Sequence, residues 1–166
     1  FTMGDAGAAA LLSRDDDGRG IFYRRFSTLS EHWRLATIPG GGSMLPCGDE
    51  NLRLRGDGAQ LRDAFLEFGT PVLAGMLADS GVPLDEFQRI FVHQVSLPYL
   101  EEMLRATGLP RDRIEHTVAD LGNMASASLP VGFARAVARG AVGPGDRVMW
   151  VGLASGISIG LLMMDL

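Results

Sequence analysis

The chain has 166 residues, of which 46% are hydrophobic and 21% charged, and its formal net charge is −5. This length and composition suit one folded domain with a substantial core and exclude a disordered or fibrous chain. The acidic balance argues against nucleic acid as a partner, and no apolar run reaches the ~18 residues that a membrane-spanning helix needs.

The reactive residue types exclude further chemistry. All 15 basic residues are arginines, so this chain cannot supply a lysine Schiff base. The single cysteine, Cys47, excludes an internal disulfide and a multi-cysteine metal site. Cys47 follows a proline in a glycine-rich stretch and not a helix start, which does not suit a nucleophile. We predict no metal and no bound cofactor, and we expect the chain in the cytosol.

The N-terminal third predicts a hairpin followed by a long excursion. Residues 1–13 are small and apolar and predict a buried strand, the acidic run at 15–18 predicts a turn, and residues 20–29 predict a second strand that pairs with the first. Residues 31–55 have no clean period, which is typical of a lid or interface loop. The opening five residues read like the inside of a folded segment, so we expect the C-terminal part of a longer polypeptide.

The middle of the chain predicts alternating helices and strands. Apolar residues at helical spacing predict a helix over 57–80, which Pro71 should kink or divide. A short buried strand is predicted over 89–92, a helix over 97–107, and another short strand over 113–118.

The C-terminal part predicts a helix over 126–139 and then two apolar strands, 147–153 and 157–166, joined as a hairpin. Together these elements predict an α/β fold over residues 1–166, with a mixed, mostly parallel, five-stranded sheet flanked by helices.

Two polar residues stand at the ends of predicted elements. His93 follows the strand at 89–92, and Asn123 follows a glycine where a helix should begin, thirty positions later. Ligands of open α/β sheets lie at the carboxyl ends of strands. Two donors that converge there would stabilise a thioester oxyanion or an enolate. Taken alone, His93 has a simpler explanation as a core histidine, and Asn123 as a helix N-cap.

Several motifs, in order along nearly the whole chain, resemble the C-terminal half of ketoacyl-ACP synthase III-type condensing enzymes of the thiolase superfamily. The first is GDAGA at residues 4–8, which resembles the GDGAGA strand of that family. The others are the HQ pair at 93–94, GNMASAS at 122–128, PGD at 144–146 and GLASG at 152–156.

The resemblance implies a thiolase-like half whose relatives carry an acyl group on a cysteine of the other, N-terminal half. His93 and Asn123 would form an oxyanion hole for the second thioester, and the backbone N–H of Ser155 would help to hold the oxyanion of the acyl-enzyme. The resemblance places Leu153, Gly156 and Ser96 against the substrate.

The same resemblance implies the partners. Acyl-CoA or an acyl carrier protein would supply the thioesters, the N-terminal half would supply the cysteine, and the whole protein would form a homodimer acting in fatty acid or polyketide biosynthesis. The 166 residues alone, without that cysteine, are predicted to be inactive.

Two departures from the family pattern affect the donor substrate. Ser96 stands where the family usually has a second asparagine, and Pro98 stands near a position where many relatives carry a carrier-binding arginine. Two other functions remain open: acyl transfer to a hydroxyl or amine on the same fold, and a non-catalytic partner subunit. The oxyanion pair does not exclude the first; the presence of both His93 and Asn123 argues against the second.

Overall fold

The computed structural model describes residues 3–13 and 18–166. The strands are β1 (Gly20–Thr28), β2 (Ala36–Thr37), β3 (Arg55–Gly56), β4 (Arg89–Val92), β5 (Arg147–Ala154) and β6 (Ser158–Asp165). The helices are α1 (Gly58–Ala64), α2 (Thr70–Ser80), α3 (Leu97–Thr107), α4 (Val118–Leu121) and α5 (Ser128–Ala138).

One mixed sheet, in the order β1-β6-β5-β4, organises these elements. β5 and β6 form the predicted antiparallel hairpin, β1 pairs antiparallel with the other edge of β6, and β4 runs parallel to β5. The predicted α/β class with a mixed sheet is confirmed. The expected five strands and mostly parallel pairing were wrong, since the described sheet has four strands and two of its three pairings are antiparallel.

Where further parallel strands were expected, the described residues form two isolated bridges. Met3 bridges Asn123 and Ile114 bridges Ile90, both in the parallel sense. The strand predicted over 113–118 was therefore wrong: a 3₁₀ turn at Arg111–Arg113 precedes the bridge, and α4 begins at Val118.

The predicted N-terminal hairpin was also wrong. β1 forms where the alternation predicted it, but its partner is β6, from Gly20 opposite Asp165 to Thr28 opposite Ser158. Residues 4–13 form no strand and are mostly exposed, so they are not the buried strand that was expected. Residues 1–2 and 14–17, which include most of the predicted turn, lie outside the described residues.

The helix predicted over 57–80 is divided as expected. The Asp57 carboxylate caps α1 by accepting from the N–H groups of Ala59 and Gln60 at 2.8 and 3.1 Å. A π-helical turn, Phe65–Gly69, separates α1 from α2, and Pro71 lies in the first turn of α2. Because proline has no N–H to donate, the chain cannot continue the regular α-helical ladder across this point.

The two remaining helices agree with the sequence to within two residues. α3 spans the predicted 97–107, and Gly108 ends it in the left-handed conformation at φ 71°. The helix predicted over 126–139 begins two residues late, after a 3₁₀ turn at Ala125–Ala127. Between β1 and α1, the long excursion contains short 3₁₀ turns and the two-stranded ribbon of β2 and β3.

Alternate side chains of the sheet enter two cores, so the fold has three layers. One face carries Ile90, Val92, Met149 and Leu161 into a cluster with helices α2 and α3. The other face carries an aromatic group of Phe91 and Trp150 with Phe133 of α5, whose ring centroids lie 5.0–5.6 Å apart. Within the described ranges, the structure has no helix long and apolar enough to cross a membrane.

Candidate active site

His93 lies immediately after β4, at the carboxyl end of the parallel pair. Its backbone N–H donates to the carbonyl of Val151 at 3.0 Å, which extends the ladder by one residue and fixes the chain direction. The side chain is partly buried and lines a cavity of about 510 Å³. The structure therefore places His93 at a strand end, as the sequence predicted, and adds a cavity beside it.

The environment of His93 favours its neutral form. Burial lowers the pKa of the imidazole below its ordinary value of 6.5, and a hydrogen bond with the backbone of Ala125 acts in the opposite direction. Since that bond raises the pKa, the ring is its donor and the Ala125 carbonyl its acceptor. A neutral ring has one N–H, so any second acceptor competes with Ala125 for it.

Asn123 lies in the turn between α4 and α5, after Gly122, whose φ is 70°. Its side-chain oxygen accepts from the N–H of Ala125 at 2.9 Å. This bond occupies the acceptor end of the amide, so the nitrogen is the end that can serve a ligand as a donor.

Ala125 is thus adjacent to both side chains. Its N–H binds the Asn123 oxygen, its backbone raises the pKa of His93, and both Ala125 and His93 line the cavity. Ala125 adopts φ 49°, the one positive φ of a non-glycine residue in residues 3–13 and 18–166. An L-residue in this region is strained, and such strain is found where surrounding contacts enforce it. The geometry brings the two predicted residues to one backbone unit.

The N-terminal segment supports Asn123 from the other side. The N–H of Gly4 donates to the Asn123 carbonyl at 2.9 Å. A Cβ at Gly4 would lie 1.8 Å from the carbonyl oxygen of Leu121, so only glycine allows this close passage.

The walls of the cavity are mostly apolar. Phe26 of β1, Leu129 of α5, and Leu153 and Ile159 of the β5–β6 hairpin supply them, with Ser126 beside His93. Leu153 therefore lies beside the cavity that His93 lines, and its contact with substrate stays a prediction. Asn123, Ser96, Ser155 and Gly156 are not among the residues that line it.

Ser155 and Gly156 form the tip of the hairpin between β5 and β6. The Ser155 hydroxyl donates to the carbonyl of Ala36 in β2 at 2.6 Å, which ties this tip to the long excursion. Gly156 has φ 143°, and a Cβ there would lie 3.0 Å from the Ser158 hydroxyl. The tip is thus fixed by contacts that a larger residue would disturb.

Ser96 has a structural position. Its hydroxyl accepts from the N–H of Tyr99 at 3.4 Å and caps α3. Cys47 lies exposed in the excursion and is not among the residues that line the cavity.

Sequence reasoning missed Gln94 and Phe26. Gln94 is 2% exposed and uses both ends of its amide in hydrogen bonds. The sequence signal for Gln94 is a polar residue directly after a buried strand, but the sequence analysis used it only as part of the HQ motif. Phe26 reaches the cavity because β1 pairs with β6, a long-range pairing that no local pattern reports.

The comparisons with known proteins first define a class. The fold superposes on the crystal structure of 3-oxoacyl-[acyl-carrier-protein] synthase III from Aquifex aeolicus VF5 with a TM-score of 0.76 and 19% sequence identity. The superposition covers 93% of this chain and 47% of the other chain. The chain is therefore an α/β protein with the thiolase-like fold.

The sequence comparisons then define the family. Residues 77–166 match the profile described as 3-oxoacyl-[acyl-carrier-protein (ACP)] synthase III C terminal, and the chain belongs to this family. It is 27% identical, over 98% of its length, to an acetoacetyl CoA synthase of Streptomyces sp. (strain CL190), of which it covers 52%. It is 31% identical, over 95% of its length, to β-ketoacyl-[acyl-carrier-protein] synthase III of Erythrobacter litoralis, of which it covers 49%. The chain spans about half the length of these curated relatives.

Proposed function

We propose that this chain is the C-terminal half of a 3-oxoacyl-[ACP] synthase III-like enzyme that condenses two acyl thioesters in a Claisen reaction. The cysteine that carries the first acyl group belongs to the other half of the protein. His93 and Asn123 hold the carbonyl oxygen of the second thioester.

The reaction forms one C–C bond. The cysteine thiolate displaces the thiol of the first thioester and keeps its acyl group. Loss of CO₂ from the second thioester, or transfer of one of its protons to a base outside this chain, leaves an electron pair that becomes an enolate, with its charge on the oxygen between His93 and Asn123. The enolate carbon attacks the acyl-cysteine carbonyl, and the C–S bond breaks to return the thiolate.

The two side chains are suited to different parts of this task. The Asn123 amide presents its nitrogen because its oxygen is bound to the N–H of Ala125. His93 donates the single N–H of its neutral ring, for which the Ala125 carbonyl and the substrate compete. A charged enolate oxygen is the stronger acceptor, because hydrogen bonds to charged groups are about twice as strong as neutral ones. The donor contact therefore strengthens as charge develops, as transition-state stabilisation requires.

The single observation that carries this proposal is that Ala125, whose N–H holds the Asn123 side chain, lines the same apolar cavity as His93. Ala125 thus relates Asn123 to the cavity that His93 lines, and the apolar walls of Leu129, Leu153 and Ile159 suit the acyl part of a thioester. The backbone N–H of Ser155 completes the proposal as a donor to the acyl-enzyme oxyanion.

Exposed apolar surface supports the proposed second half and homodimer. Leu11 and Leu12 are 96% and 84% exposed, and Phe26 is 72% exposed at the cavity. Surfaces of this kind are normally covered by protein. We propose that the cysteine-bearing half and a second copy cover them, with acyl-CoA or an acyl carrier protein delivering the substrates in the cytosol.

The test compares two histidine variants of the complete polypeptide that contains this chain. We expect His93→Ala to lower condensation and decarboxylation of a malonyl thioester by ~10²–10³-fold, because one oxyanion donor is lost. Transfer of the first acyl group to the cysteine should persist, and mass spectrometry of the acyl-enzyme measures it. His32→Ala, at another partly exposed histidine of the same chain that stacks on Phe68 and does not line the cavity, is the control and should retain condensation.

The outcomes separate the remaining functions. Unchanged product formation in His93→Ala would overturn the mechanism. An ester or amide product from the unaltered protein would assign acyl transfer to a hydroxyl or amine. A complete polypeptide that never becomes acylated by a panel of thioesters would assign a non-catalytic subunit.

A further inference from the structure

Gln94, the neighbour of His93, makes three hydrogen bonds with a distant segment. Its amide oxygen accepts from the N–H groups of Thr117 and Val118 at 3.0 and 3.1 Å. Its amide nitrogen donates to the carbonyl of Glu115 at 2.5 Å. The residue is 2% exposed, so these bonds form out of contact with solvent.

These bonds join the two chain segments that carry the proposed donors. Gln94 is one residue beyond His93 at the end of β4, and Val118 is the first residue of α4. α4 ends at Leu121, two residues before Asn123. A single side chain therefore links the backbone that carries His93 to the backbone that leads to Asn123.

The far side of this connection is itself anchored. The Glu115 carboxylate is buried at 1% exposure and is bound by both terminal nitrogens of Arg139, at the end of α5. The segment that Gln94 binds is thus held between β4 and α5. Because residues 115–118 are held on both sides, a shift of this backbone caused by a change at Gln94 would displace α4 and, after it, Asn123.

We propose that Gln94 is a positioning residue that sets the separation between His93 and Asn123. This inference rests on the proposed function, because it assigns to Gln94 the geometry of that site and no contact with substrate. The glutamine amide is suited to the position because it matches two N–H donors with its oxygen and one carbonyl acceptor with its nitrogen. An apolar side chain of similar size would leave all three backbone groups buried and unpaired.

The first test replaces Gln94 with an unbranched apolar residue in the complete polypeptide. We expect Gln94→Met to lower the kcat of condensation by on the order of 10²-fold, as a displacement of about 1 Å at a reacting centre can do. Acyl loading of the cysteine should stay within about twofold, since it does not need the second-thioester site. The matched control is Gln88→Met, an exposed glutamine just before β4, at its opposite end, which should leave both rates unchanged.

The second test uses a side chain that imitates the amide only when protonated. In Gln94→Glu, a neutral carboxyl can still donate to the Glu115 carbonyl and accept from Thr117 and Val118, whereas a carboxylate cannot donate. The charged or titratable groups on the segments that Gln94 joins are His93, His116 and the Glu115 carboxylate with its partner Arg139. We expect the ratio of the variant's condensation rate to that of the unaltered protein to rise several-fold as the pH falls, with loading unaffected.

Each outcome decides the inference. Unchanged condensation in Gln94→Met, or condensation and loading reduced by the same factor, would overturn the positioning role. If Gln94→Met does not fold, a pH-independent rate ratio for Gln94→Glu would overturn it instead. The proposed function fails separately, when His93→Ala retains condensation whatever the Gln94 variants do.

Discussion

At the scale of single residues, the protonation state of His93 follows from its position. The ring is partly buried, and the cost of placing a charge there lowers its pKa below 6.5, although the bond to the Ala125 backbone limits the shift. The neutral ring therefore predominates at pH 7. The same ring in the unfolded chain would take up a proton at a higher pH than it does in the native protein.

This difference gives a pH dependence with a definite sign. Because the native state binds fewer protons, His93 makes the free energy of unfolding fall as the pH drops from about 6.5 towards the lowered native pKa. Above 6.5 both states are neutral and the group contributes no slope. We expect an NMR titration of the His93 ring in the folded protein to have its midpoint below 6.5. A midpoint at or above 6.5 would show that the Ala125 bond outweighs burial.

At the scale of elements, the π-helical turn between α1 and α2 depends on one glycine. Gly69 is buried, and a Cβ there would lie 2.7 Å from the Phe65 ring, which is itself 3% exposed in the core. Gly75 lies in α2, and a Cβ added there would have no neighbouring atom within 4 Å. The two glycines share one continuous helical segment but have opposite surroundings.

We expect opposite effects from alanine at these two positions. Gly69→Ala should reduce the free energy of unfolding by ~1–3 kcal/mol, because the Phe65 ring must shift within a packed core. Gly75→Ala should raise it by up to ~1 kcal/mol through helix propensity. Urea denaturation of both variants measures the difference. Equal effects would mean that the Phe65 ring moves aside without cost.

Local sequence signals were sufficient to place most helices and strands along the chain, but they did not show which strands pair with each other. The glycine after α3 and the proline in the first turn of α2 were readable because each acts within a few residues. β1 was placed correctly but given the wrong partner, since its pairing with β6 spans most of the chain. The strand expected over 113–118 became a turn, a bridge and α4 because Gln94 holds the backbone of Thr117 and Val118.

The candidate site divides in the same way. His93 and Asn123 could be selected from residue type and position, and their catalytic role stays a prediction. The Ala125 backbone unit that relates them could not be selected, because alanine has no reactive group and its positive φ has no sequence signal. Gln94 and Phe26 depend on long-range contacts and were equally hidden.

At the scale of the whole molecule, the described surface carries apolar side chains that the chain itself does not cover. Leu11 and Leu12 are exposed, and β1 exposes Ile21, Phe22 and Phe26. Extended strands with exposed apolar side chains are prone to associate with other chains.

We expect the 166-residue chain on its own to self-associate at micromolar concentrations, measured by light scattering. The double change Leu11→Ser and Leu12→Ser should weaken this association while altering the free energy of unfolding by less than ~0.5 kcal/mol. The control changes Arg53 and Asp85, exposed residues of opposite charge, to serine and should leave association unchanged. A strictly monomeric chain, or equal effects of both double changes, would contradict the expectation.

The Ala125 backbone unit also bears on how the site can move. Asn123 is bound to the N–H of Ala125 and His93 interacts with its carbonyl, and these two groups belong to adjacent peptide planes. Rotation of the carbonyl plane can therefore release His93 to a substrate oxygen while the contact that holds Asn123 stays in place.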